Sequence, residues 1–181
     1  LLPPGPRGGE RVNRVHLDHN ATTPLRPEAR AEFLRAADTL GGNPSSVHAS
    51  GRAARAELDD ARERIAAALG VEGEELIFTS GGTEANNAAI FGGLPKGSPL
   101  YISALEHSSV REAALALELT GREVHTLTVD QAGRLDIAAL KTALEGQSGG
   151  LLSVMAANNE LGTVSPLDEV RFVLGGLPAA S

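Results

Sequence analysis

Apolar residues at Ala54, Leu58, Ala61, Ile65 and Ala68 step by 4, 3, 4 and 3 along the chain. That spacing places them on one helical stripe and predicts a helix over 50–69, with Gly70 just past its end. A second helix is expected over 27–40, where Pro27 suits a first-turn position and 41–44 (GGNP) stops it. Beyond residue 70 the pattern changes. Short continuous apolar runs at 76–79, 100–105, 124–129 and 151–157 read as strands. Between them lie helical patterns at 83–91, 109–119 and 136–144, the last capped by Asp136, and another begins at 166–174. A short strand is also expected at 14–18 (RVHLD), and 1–13 reads as a loose, flexible arm.

Strands alternating with helices of about ten residues predict an α/β fold with a mostly parallel sheet. The strands are apolar through their length, as in a three-layer arrangement with helices on both faces. Three segments follow: the arm 1–13, an N-terminal strand and helices over 14–70, and the α/β part over 71–181. Ligands in such sheets sit beyond the carboxyl ends of the strands. The groups just after each predicted strand are 19–20 (HN), 80–83 (SGGT), 106–107 (EH) and 158–160 (NNE), and all are polar.

Composition narrows the classes. The chain has 181 residues, 41% of them hydrophobic and 22% charged, which excludes a disordered acidic tail. The net charge of −7 and only five aromatic side chains (four Phe, one Tyr) argue against nucleic acid as a partner. No apolar run approaches the roughly 20 residues that a membrane helix needs. There is no cysteine, so no disulfide, no cysteine metal site and no thiol nucleophile within these residues.

The polar groups carry candidate chemistry. Ser80-Gly81-Gly82-Thr83 joins a strand to a helix start, where backbone N–H groups and the helix dipole favour an anion such as phosphate. The same pattern serves an ordinary strand–helix turn, and it lacks the lysine of a P-loop. His107, after Glu106, can face a ligand by stacking or proton transfer, or can be a half-buried histidine satisfied by hydrogen bonds. His19, His48 and His125 have weaker claims, and no histidines show metal-ligand spacing. Asn158-Asn159-Glu160 can aim amides at a ligand oxygen, or can form a turn bonded to its own backbone.

In order and at these separations, LDHNATTP (17–24), GNPSSVHASG (42–51), IFTSGGTEANN (77–87), ALEHSSV (104–110) and VMAANNELGTVSP (154–166) resemble the cysteine desulfurases of the NifS/IscS type. Those are class V, fold-type I enzymes dependent on pyridoxal 5′-phosphate (PLP). The resemblance spans about 14–166. It implies part of the large domain of that fold, with 71–181 as a partial PLP-binding domain. It also implies that Gly82 and Thr83 hold the cofactor phosphate, that His107 stacks on the pyridine ring as the catalytic histidine, and that Asn159 lies near the ring hydroxyl oxygen.

The resemblance further implies L-cysteine as substrate, converted to L-alanine, with sulfur passed to an enzyme cysteine for iron–sulfur cluster or tRNA sulfur supply. A sulfur-acceptor or scaffold protein, a homodimer when complete, and a cytoplasmic location go with it; neither nucleic acid nor membrane does. The family's Schiff-base lysine, its aspartate and its persulfide cysteine all follow the Asn-Asn-Glu segment. The two lysines here, Lys96 and Lys141, match no such motif. The expectation is therefore a truncated amino-terminal half, inactive alone and poorly soluble. Alternatives are another class V enzyme, such as an aminotransferase or selenocysteine lyase, or a non-catalytic binding module.

Overall fold

The computed structural model describes residues 15–147 and 149–175. The arm expected at 1–13, and Arg14, lie outside the described residues. The chain divides between Leu76 and Ile77 into two compact units.

The first unit holds α1 (Pro27–Thr39) and α2 (Ala49–Leu69), followed by a short 3-10 turn at Gly73–Glu75. The helix ends follow from sequence. Pro27 is the first residue of α1, and the His48 ring caps α2 by accepting the Gly51 N–H at 3.2 Å. Gly70 ends α2 in the left-handed conformation at φ +71°. Arg35 pairs with Glu32 and with Glu57, tying α1 to α2. The loop between them is tight. A Cβ on Gly42 would strike the Ser50 carbonyl, and one on Gly51 would strike the Ser46 carbonyl. Asn43 Oδ1 accepts the Ser45 N–H at 2.9 Å and closes an Asx turn.

The second unit is a three-layer α/β arrangement. Its sheet has the order β2-β1-β3 and is parallel throughout. The strands are β1 (Leu100–Ser103), β2 (Val124–Leu127) and β3 (Leu151–Ser153). The helices are α3 (Gly82–Gly93), α4 (Ser108–Leu119), α5 (Ile137–Leu144) and α6 (Leu167–Gly175). Strand alternation sorts the core onto two faces. Leu100 and Ile102 pack with Ile90 of α3 and with Val110, Ala113 and Ala114 of α4. Tyr101 faces the other way, among Leu127, Leu135, Leu140, Leu144 and Val170. The central strand β1 is buried at every position.

Among the described residues, two expected strands do not form. Residues 15–18 form no strand, and neither do 76–79. A strand needs a neighbour to satisfy its backbone N–H and C=O groups. No described strand pairs with 76–79; the Leu76 carbonyl instead accepts a hydrogen bond from the Arg62 guanidinium. Ile77 stands 82% exposed. The remaining strands are shorter than the apolar runs. The run after β1 turns back where the Glu106 N–H reaches the Ser103 carbonyl at 3.2 Å. After β2, Val129 bridges to Leu135; after β3, Ala157 bridges to Val164. Both bridges are antiparallel and each closes a local turn.

Candidate functional site

The carboxyl ends of β1 and β3 lie side by side, because those strands pair in register from Leu100↔Leu151 to Ile102↔Ser153. Beyond them opens a cleft of about 170 Å³. Its walls include Glu106, His107 and Arg111 from the β1–α4 side, and Met155, Asn159 and Glu160 from the segment after β3. The sequence-predicted His107 and Asn159 therefore meet at one place.

Hydrogen bonds hold the two sides together. Glu106 is only 6% exposed, and its Oε1 accepts the Met155 N–H at 2.6 Å. Burial pushes the Glu106 carboxyl above its ordinary value, although the Met155 N–H and the Ser153 side chain pull it the other way. Asn158 Nδ2 donates to the Leu105 carbonyl at 3.1 Å. Asn158 Oδ1 accepts the Glu160 and Leu161 N–H groups at 2.9 and 2.8 Å. The first asparagine of the pair is thus committed to the turn, and both asparagines line the cleft.

His107 caps α4. Its Nδ1 accepts the Ser109 N–H at 3.1 Å and lies 2.8 Å from the Ser109 hydroxyl. The same hydroxyl accepts a hydrogen bond from Asn86 Nδ2 at 2.8 Å. Asn86 belongs to α3, so that helix and the His107 ring are joined through Ser109. Sequence reasoning passed over Ser109 and Asn86. The available signal was the His-x-Ser spacing at a helix start, a capping pattern.

Gly82 and Thr83 open α3. Gly81 at the N-cap is extended and gives no side-chain cap, and the first N–H groups of a helix lack the intrahelical acceptors that later turns have. Open space surrounds the position that a Cβ would take on Gly81 and on Gly82. Thr83 does not line the His107 cleft. It lines an adjoining groove of about 340 Å³ between α3 and α4, together with Asn87, Phe91 and Ser109. Ser108 borders both spaces. Glu84 Oε2 accepts the Ser80 hydroxyl at 2.6 Å and the Ser80 N–H at 2.7 Å. These bonds hold the Glu84 carboxyl below the usual carboxylate range.

The weaker histidines have local duties. His48 caps α2, and His125 stacks on Tyr101 at 4.9 Å while bonding Glu123 at 2.7 Å. Among the described residues, no group of three or more His, Cys, Asp or Glu is placed to hold a metal ion. Nor is any described helix long and apolar enough to cross a membrane.

The family profile of aminotransferase class-V proteins matches residues 15–174. The chain belongs to the aminotransferase class-V family. A cysteine desulfurase IscS of Dictyoglomus turgidum is 44% identical over 163 residues, covering 88% of this chain and 41% of the relative. Among solved structures, a NifS-like protein superposes with a TM-score of 0.78 at 32% identity, over 90% of this chain and 46% of that one. SspA in complex with cysteine superposes with a TM-score of 0.77 at 29% identity, over 90% of this chain and 48% of that one. The chain thus spans less than half the length of these relatives. Class V enzymes and the cysteine desulfurases among them depend on PLP, and the three-layer α/β fold with its parallel sheet is theirs.

The residues present fit that cofactor in kind. A helix start with no side-chain cap and open glycines suits a dianionic phosphate. A cleft with an imidazole on one wall and an amide on the other suits a planar ring bearing a hydroxyl oxygen.

Proposed function

We propose that this chain carries the amino-terminal share of the PLP site of a cysteine desulfurase. The observation that carries the reading is the meeting of His107 and Asn159 across one cleft beside the helix that Gly82 and Thr83 open. In this reading the Gly82 and Thr83 N–H groups and the Thr83 hydroxyl hold the cofactor phosphate. His107 lies against the ring face. Asn159 offers its amide to the ring hydroxyl oxygen. When bound, PLP supplies the electron sink for chemistry at the amino-acid substrate.

The substrate in this reading is L-cysteine, and the product is L-alanine with sulfur carried onward on an enzyme thiol. Iron–sulfur cluster assembly or tRNA thiolation would consume that sulfur through an acceptor or scaffold protein. The complete protein would be a homodimer in the cytoplasm, engaging neither nucleic acid nor membrane. This sequence has no cysteine, and its two lysines sit at 96 and 141, outside the cleft walls. The Schiff-base lysine and the sulfur-carrying thiol therefore come from outside these 181 residues, and the chain alone does not turn over cysteine.

The test is binding of pyridoxal 5′-phosphate and of pyridoxal, followed by quenching of the Tyr101 fluorescence or by equilibrium dialysis. The phosphate form should bind at least tenfold more tightly, and Thr83→Val should remove most of that difference. Equal binding of the two forms would overturn the phosphate assignment. Persulfide formed by the purified chain would overturn its inactivity.

A further inference from the structure

A backbone N–H can only donate, so the Ser109 N–H on His107 Nδ1 requires a lone pair at that nitrogen. In the neutral imidazole one nitrogen carries the proton and the other accepts. Here the acceptor is Nδ1, and the proton resides on Nε2. With Nδ1 as the acceptor, the Ser109 hydroxyl 2.8 Å away donates its proton there, while its oxygen accepts from Asn86 Nδ2 at 2.8 Å. Two donors then converge on one ring nitrogen, and the second is set in place from another helix.

We propose that Asn86 is a positioning residue. Acting through Ser109, it holds the His107 imidazole as its neutral Nε2–H tautomer and ties that ring to α3. Neither Ser109 nor Asn86 need touch a ligand. His107 then meets whatever occupies the cleft as a hydrogen-bond donor at Nε2, with no free lone pair on either nitrogen. A neutral imidazole is also the form that lies without repulsion against a pyridinium ring, which is where this inference rests on the proposed cofactor. The coupling has a geometric consequence as well. The helix that carries Asn86 begins at Gly82-Thr83, so a shift of the proposed phosphate site moves the ring through two hydrogen bonds.

The test reads the imidazole nitrogens directly. Long-range proton–nitrogen correlation spectra of the uniformly ¹⁵N-labelled full chain, without any ligand, should show His107 Nδ1 unprotonated and Nε2 protonated. Asn86→Ala should lower the ratio of Nε2–H to Nδ1–H tautomer by about fivefold, the equivalent of one ordinary hydrogen bond. Ser109→Ala should do the same, and the double variant should add little to either, because all three break one relay. A protonated Nδ1 in the unsubstituted chain, or a ratio unchanged in both single variants, would overturn the proposal. Since no PLP is present, failure of the chain to bind PLP leaves this result standing. A wrong tautomer, in turn, leaves the phosphate-binding test untouched.

Discussion

Glu106 takes the Met155 backbone N–H at 2.6 Å while almost wholly shielded from solvent. This bond crosses from the end of β1 to the end of β3, and the neighbouring Leu105 carbonyl accepts from Asn158. Together they set the width of the cleft that His107 and Asn159 share. The carboxyl is held above its ordinary value by burial, so the folded state favours the protonated form. Between the unfolded and the raised folded value, the native state binds more protons than the unfolded one, and stability falls as pH rises through that window. Glu106→Gln keeps an acceptor for Met155 and cannot ionise. Urea unfolding across the acid range should show the unsubstituted chain losing stability with rising pH relative to the glutamine variant. Parallel curves would mean that Glu106 is not a buried acid.

The glycines at 41, 42 and 51 should separate sharply on substitution. A Cβ on Gly42 or on Gly51 would run into a backbone carbonyl, whereas Gly41 has open space around it. A clash with backbone cannot be relieved by a rotamer change. Gly42→Ala and Gly51→Ala should each destabilise the first unit by about 1–3 kcal/mol. Gly41→Ala should lie within about 0.5 kcal/mol of the parent. Helical circular dichroism during chemical unfolding distinguishes them, and equal behaviour of the three would refute the close approach of this loop to α2.

Asp136 caps α5, with its Oδ1 accepting the Ala138 and Ala139 N–H groups at 2.9 and 3.1 Å. That helix contributes Leu140 and Leu144 to the core on the Tyr101 side of the sheet. Asp136→Ala should cost about 1 kcal/mol, and Asp136→Asn much less, because the amide oxygen keeps the acceptor. Denaturant midpoints of the two variants check the order. A larger loss with asparagine would show that charge, not capping, governs this helix start.

Helices were legible in the sequence because each carries its own signal: Pro27 at a start, Gly70 at an end, Asp136 at a cap. Strand lengths were not, because pairing depends on a neighbour that a local pattern cannot reveal. Leu76 to Thr79 reads as a strand by composition, yet no described strand lies beside it. The α2 stripe was legible as a helix but not as a buried face: Ala54 is covered, while Ile65 is 41% exposed. At the site, residues 106–107 and 158–160 line one cleft, whereas Thr83 lines the adjoining groove. Both Asn158 and Asn159 line the cleft, and the bonds by which Asn158 also closes its own turn are a matter of turn geometry. The Asn86–Ser109 bond joins residues 23 apart in sequence and carries no local trace.

Glu84 is the remaining lever on the proposed phosphate site. Its carboxylate sits in the first turn of α3 and is held by the Ser80 hydroxyl and N–H. An anion there stabilises the helix start but also repels an incoming phosphate. Its lowered folded value means that its stabilising contribution is present above the unfolded carboxyl value and is lost as pH falls through the folded one. Glu84→Gln keeps an oxygen acceptor for Ser80 while removing the charge. The variant should lose the acid-side part of the stability profile. It should also bind pyridoxal 5′-phosphate a few times more tightly at low salt, with the gain shrinking as salt screens the site. Titration of parent and variant at two ionic strengths checks this. An affinity that falls, or a gain that ignores salt, would move the phosphate away from the N-terminus of α3.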